Sequence, residues 1–151
     1  MAIYGLNPTP DAPNPMRPVV SLQVPVIRTR IVYPGAVVGY SATYRFEKET
    51  PLATVSAGYA DGLSWSLENK GALYFKGYKC PIRGRVSMDL TTVDLSSVPE
   101  SERPKPGEYM DVLGPDQSAD DLAQAAGTIG YEVLTHLGQR YERHYLNQDA
   151  D

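Results

Sequence analysis

Four short strings, rich in tyrosine and glycine and far apart along the chain, hold the residues best suited to chemistry. They are Val38-Gly39-Tyr40-Ser41-Ala42-Thr43-Tyr44, Gly58-Tyr59-Ala60-Asp61-Gly62, Gly84-Arg85-Val86-Ser87-Met88-Asp89 and Gly127-Thr128-Ile129-Gly130-Tyr131-Glu132. A tyrosine phenol has an ordinary pKa of about 10, so at neutral pH it acts as a base only beside cationic or hydrogen-bonding groups. Asp61 between glycines suits a sharp turn whose backbone can approach a ligand closely. Each residue also has a plainer reading. With eleven tyrosines in the chain, Tyr40 alone is equally a strand residue that packs its ring and wets its hydroxyl. Tyr59 alone sits in an ordinary Asp-Gly loop, and Met88 alone fills a gap in a core.

Other chemistries find little support. Cys80 is the only cysteine, so there is no internal disulfide and no metal site built from several cysteines. His136 and His144 lack metal-ligand spacing with it, which leaves them packed or surface roles and no metal. No Gly-x-x-x-x-Gly-Lys string follows a strand, so no phosphate loop is expected. A net charge of −4, a pI near 5.1 and the lack of a basic stripe argue against nucleic acid. The apolar runs are short and broken by Gly, Pro and Arg, so neither a signal-peptide core nor a membrane span is expected. The chain reads as soluble and cytoplasmic.

The elements that must position the four strings read as mainly β. A length of 151 residues suffices for one domain with a real core. Pro8, Pro10, Pro13, Pro15 and Pro18 make residues 1–18 an extended strap that cannot be a helix or a central strand. From Val19 to about Leu95, short runs rich in Val, Ile, Thr and Tyr alternate with turn signals such as Pro34-Gly35 and Lys76-Gly77. Val24 to Val32, Ala72 to Phe75 and Pro81 to Val86 are predicted strands; so many short strands favour a barrel or sandwich. Ser97 to Gly107, with three prolines, reads as a solvated loop, and Glu108 to Leu113 as a strand. Ser118 is a good helix N-cap with Asp120 and Asp121 in the first turn, and Gly127 a good stop. A second short helix fits Tyr131 to Leu137, then a last strand around Arg140 to Leu146 and a flexible tail at 147–151.

In this order and at this spacing, the four strings resemble the C-terminal domain of alanine racemase, a pyridoxal-phosphate enzyme of bacteria. The resemblance covers nearly all of the chain after Ile3 and implies a β-barrel-like domain over 19–146 with two short helices near the C-terminus. Ile3-Tyr4-Gly5-Leu6-Asn7-Pro8 is similar to the stretch where the family's N-terminal barrel hands over, so 1–18 is expected to be a linker from a barrel that this chain does not contain. The implied reaction interconverts L-alanine and D-alanine for peptidoglycan, across a homodimer interface with the barrel. By resemblance, Tyr40 is one of two catalytic acid-base residues, opposite the cofactor lysine. Tyr59 walls the substrate, the Met88 backbone N–H holds its carboxylate, Tyr131 hydrogen-bonds the cofactor phosphate, and Arg85 and Ile129 line the entrance corridor. The lysine and most cofactor ligands are expected upstream, so this chain alone should neither hold pyridoxal phosphate nor turn over. Two departures stand out: Leu63-Ser64-Trp65-Ser66 where the family usually has an arginine, and Gly130 where serine is common. Alternatives are a racemase of serine or of a broader set of amino acids, and a stand-alone β-barrel interaction module.

Overall fold

The computed structural model describes residues 4–9 and 11–146, with Tyr40 described by its backbone alone. Among the described residues, eight strands and two α-helices follow one another, joined in places by short 3-10 turns: β1 (Leu22–Val32), β2 (Val37–Val38), β3 (Tyr44–Arg45), β4 (Thr50–Val55), β5 (Ala72–Phe75), β6 (Tyr78–Pro81), β7 (Thr91–Asp94), β8 (Tyr109–Leu113), α1 (Ala119–Ala126) and α2 (Gly130–His136). Six of the strands form an antiparallel sheet in the order β6-β5-β8-β1-β4-β7, and β2 pairs with β3 in a small separate hairpin. The sheet nearly closes on itself. Just beyond β6, Ile82 bridges Val93 of β7, and the Arg83 N–H donates to the Thr92 carbonyl at 2.9 Å. Near-closure leaves little unpaired edge, which is how small all-β domains avoid templating other chains.

β1 is long because it serves two neighbours. Leu22 to Pro25 pair with β8, the register shifts between Val26 and Arg28, and Arg28 to Val32 run against β4. The alternation predicted for Val24 to Val32 therefore holds only in its first half. Leu22, Val24 and Val26 are buried, whereas residues 27–31 are exposed beyond the bulge. Inside the barrel, Val24, Val26, Ala53, Val55, Leu73 and Met110 meet in one core that continues to Leu122 of α1 and Val133 of α2. Outside it, Val32, Val38, Phe46 and Leu52 form a second cluster that seats the β2–β3 hairpin. β4 is apolar on both faces because Ala53 and Val55 point into the barrel and Leu52 points out to the hairpin.

The helices follow from local chemistry. The Ser118 hydroxyl accepts from the Asp121 N–H at 3.1 Å, and the Asp121 carboxylate accepts from the Ser118 N–H at 2.8 Å. Gly127 ends α1 at φ +73°. These two reciprocal bonds are a capping box.

Three expectations need correction. The strand expected over Pro81 to Val86 ends at Pro81, because Gly84 at φ +74° turns the chain out of the ladder. No strand forms over Arg140 to Leu146: the segment has no ladder partner, and its attachments are made by side chains, with Arg143 donating to the Leu137 and Gly138 carbonyls at 3.3 Å. The N-terminal strap is folded rather than extended: Asn14 donates to the Gly5 carbonyl at 3.1 Å, and Asn7 to the Ala12 carbonyl at 2.8 Å. Its anchor is Leu6, 3% exposed, beside α1 and α2. Neither helix nor strand occurs among the described residues of 5–21, as the prolines predict. The tail expected at 147–151 lies outside the described residues.

Candidate functional site

Three of the four strings meet backbone to backbone. Gly39, at φ +84°, lies so close to Gly84 and Arg85 that a Cβ there would stand 2.6 Å from the Arg85 nitrogen. Gly58 faces the Ser87 and Met88 carbonyls with no room for any side chain. Two hydrogen bonds lock that second contact: the Tyr59 N–H donates to the Ser87 carbonyl and the Ala60 N–H to the Met88 carbonyl, each at 3.0 Å. The glycines flanking the tyrosines are thus spacing requirements, since only their lack of a Cβ permits these approaches.

Tyr40 opens the short helical turn Tyr40–Ala42 that joins β2 to β3. Ser41 at φ 66° and Ala42 at φ 53° put two successive non-glycine residues in the left-handed region. Such strain persists only where the surroundings impose it, and it concentrates at functional sites. The Tyr40 side chain lies outside what is described, so its expected role is not placed by side-chain geometry.

Tyr59 and Met88 are 50% and 53% exposed on adjoining loops, with Leu90 at 40% beside them. Among the described residues no acceptor is found for the Met88 N–H, while its carbonyl is engaged by Ala60. Asp61 closes the Gly58 turn from below: 5% exposed, it accepts the Gly58 N–H at 2.9 Å.

Arg85 is half-buried and held from one side. Its guanidinium lies over the Trp65 ring at 5.2 Å, and its Nε is 3.4 Å from a Glu68 oxygen. That Nε–H makes no hydrogen bond, so Glu68 acts on it through charge alone. The Asn69 side-chain oxygen accepts the Gly84 N–H at 2.7 Å and fixes the turn that leads into Arg85. Within Leu63-Ser64-Trp65-Ser66, the stretch where the family usually has an arginine, Trp65 thus gives the Arg85 guanidinium an aromatic face to rest on.

Ile129 and Tyr131 stand apart from this group. They flank the start of α2, with Ile129 63% exposed and Tyr131 half-buried against Tyr4, ring centroids 6.1 Å apart and edge to face. It is the other end of α2 that reaches the site: Gly62 packs on the His136 carbonyl, and the Gly138 N–H donates to the Asp61 carbonyl at 3.2 Å. Five residue steps of helix put Tyr131 on the order of 8 Å from His136 along the axis. At Gly130 a side chain would meet the ends of the Asp120 and Leu6 side chains, which would have to move aside to admit it.

Three residues were not picked out from the sequence as binding neighbours: Arg140, Tyr141 and Asn69. Arg140 binds Asp61 at 3.2 Å and Asp89 at 2.7 Å. Its pKa is raised, first by the hydrogen bond to Asp89 and then by the charge of Asp61. The Tyr141 phenol is pushed up to about 12, first by burial and then by Asp61, with Arg140 pulling the other way. Its hydroxyl finds no partner among the described residues. No local pattern announces such residues, since Arg140 lies 51 positions from Asp89.

Among the described residues no cluster of His, Cys, Asp or Glu could hold a metal, and no helix is long and apolar enough to cross a membrane. An open cleft of about 750 Å³, lined by Tyr44, Lys48, Lys79 and Arg83 among others, has none of the predicted site residues in its lining.

Residues 19–145 match the family model described as alanine racemase, C-terminal domain. The chain is 52% identical over 145 residues to a catabolic alanine racemase of Rhizobium johnstonii, covering 96% of this chain and 38% of that protein. It is 51% identical over 145 residues to an alanine racemase of Cereibacter sphaeroides, covering 96% and 39%. Among solved structures, the alanine racemase from Bartonella henselae with covalently bound pyridoxal phosphate superposes with a TM-score of 0.89 at 38% identity, over 96% of this chain and 40% of that one. The biosynthetic alanine racemase from Pseudomonas aeruginosa gives 0.89 at 36%, over 97% and 41%. The chain spans about two fifths of the length of the relatives it matches. With a nearly closed antiparallel barrel, two C-terminal helices and three of the four tyrosine-glycine strings packed together, the chain belongs to the alanine racemase family, as its C-terminal domain.

Proposed function

We propose that this chain forms the tyrosine side of an alanine racemase active site, completed across a homodimer by an N-terminal barrel that carries the cofactor lysine. The observation that supports it most is the stitching of the Gly58-Tyr59 turn onto Ser87-Met88, which presents Tyr59 and an unclaimed Met88 N–H side by side. Racemisation takes the α-proton from one face and returns it to the other, so two groups must flank the substrate. Tyr40, on its strained turn beside Arg85, takes one of those places. The Met88 N–H receives the amino acid's carboxylate and the Tyr59 ring walls the substrate, while Arg85 and Ile129 line the approach. Pyridoxal phosphate, when bound, supplies the electron withdrawal that acidifies the α-proton. Tyr131 fits one phosphate oxygen through its single phenolic donor. One donor is too little to hold the cofactor, so the isolated chain binds none tightly.

The protein works in the cytoplasm, and its D-alanine serves peptidoglycan. A second reading, in which D-alanine is consumed rather than made, is favoured by one observation: three relatives at 49–52% identity carry the name catabolic alanine racemase. The test mixes this chain with the separately made N-terminal barrel and pyridoxal phosphate, then follows loss of optical rotation from L-alanine. Turnover that disappears in Tyr40→Phe is expected, and none from the chain alone. Racemisation of serine instead of alanine, or turnover by the isolated chain, would contradict the proposal.

A further inference from the structure

Two separate loops carry Tyr59 and Met88, and each has an acidic residue turned toward the same cation. Asp61, on the Tyr59 turn, meets the Arg140 Nε at 3.2 Å; Asp89, next to Met88, meets its Nη1 at 2.7 Å. The guanidinium is the one group suited to this, because its donors point in fixed, divergent directions and can serve two carboxylates at once. Arg140 is itself held on a segment without helix or strand, which Arg143 ties to the Leu137 and Gly138 carbonyls at 3.3 Å and Gly138 ties back to Asp61 at 3.2 Å. The Arg140 side chain is 56% exposed. Exposed ion pairs contribute little to folding. Its geometric effect is larger, since it joins the two loops at their outer ends where the Tyr59 and Ala60 backbone bonds no longer reach.

We infer that Arg140 is a positioning residue: by spanning Asp61 and Asp89 it fixes the distance between the Tyr59 ring and the Met88 N–H, and so sets how tightly the amino acid is gripped. The catalytic half of this statement rests on the racemase reading; the structural half does not. Arg140→Lys keeps a cation beside buried Asp61 but offers a point charge that cannot span both carboxylates. Asp89→Asn strips the charge from the other end of the bridge, leaving at most a neutral acceptor, and keeps the Asp61 contact intact.

Two measurements decide the matter. In the chain itself, hydrogen exchange at the Tyr59 and Ala60 amides is expected to quicken about fivefold or more in both variants, with Tm unchanged and the β4 and β7 amides unaffected. In the assembled enzyme, KM for alanine is expected to rise about fivefold with kcat within about twofold, because the lost contacts bind substrate and transition state alike. The Arg140→Lys, Asp89→Asn double variant should be no worse than either single one, since both cut the same bridge. Unchanged exchange in both variants, or a uniform loss of protection across the barrel, overturns the inference. So does quickened exchange with an unchanged KM. If the assembled wild-type protein shows no turnover, the racemase reading falls, and the exchange result alone upholds or overturns the clamp.

Discussion

Gly58 shows how much of the site rests on a missing atom. A Cβ there would run into the Ser87 and Met88 carbonyls. Gly58→Ala is therefore expected to cost about 1–3 kcal/mol, read from the urea midpoint, because backbone rather than a flexible side chain must move. Gly114→Ala, whose nearest neighbour would be an Asp111 side-chain atom at 3.6 Å, should stay within about 0.5 kcal/mol. Cys80 illustrates burial acting on charge. Its thiol rises from 9.0 to about 12, through burial first, against a Ser97 hydrogen bond, with Asp94 adding to the rise. Below pH 9 the thiol is neutral in both folded and unfolded chains, so no stability is at stake; above it the unfolded thiol ionises while the folded one does not. Stability should therefore fall as pH climbs from 9.0 towards about 12, with Tyr141 adding to the fall from 10.0 upwards. Denaturation midpoints at pH 8 and pH 10.5 check this, and Cys80→Ala should make the decline shallower.

At the scale of elements, α1 is short enough for its cap to matter. Ser118→Ala removes the hydroxyl bonded to the Asp121 N–H at 3.1 Å and leaves that first-turn donor without its side-chain acceptor. A loss of about 1 kcal/mol is expected, with faster exchange at the Asp121 amide. The consequence for the site travels along the chain, because α1 packs on α2 and the far end of α2 supports Gly62. β1 makes a different point. Its bulge lets a single strand serve both β8 and β4, and the exposed stretch that follows leads into the hairpin on which Tyr40 sits.

Across the whole molecule, the barrel leaves apolar groups in water on the loops of the candidate site. Tyr59, Met88 and Leu90, each at least 40% exposed, form one surface on the adjoining loops. Surfaces of this kind mark interaction sites. Concentration-dependent self-association of the isolated chain is expected in sedimentation, reduced by Met88→Lys; a strictly monomeric chain across the range would contradict it. The racemases that superpose at TM-scores of 0.89 extend well beyond this domain, which covers 40% and 41% of their chains.

The punctuation of this protein was legible in its residues. Turn and cap residues act over two to four positions, so Ser118, Gly127, Lys76-Gly77 and the prolines of the strap could be read directly, and the four strings carried the family. Strand endings were harder: Pro81 to Val86 looks uniformly β, yet Gly84 leaves the ladder to meet Gly39, 45 positions away in the chain. Arg140 to Leu146 has strand-like composition and finds no partner, because the barrel is already nearly closed by Ile82 and Val93. Folding in three dimensions, by contrast, settles that Arg140 joins Asp61 to Asp89, that Trp65 underlies Arg85, and that Gly58 has no room for a Cβ. Those contacts depend on where distant segments lie in space, and local propensity, which sees only neighbours along the chain, carries no information about them.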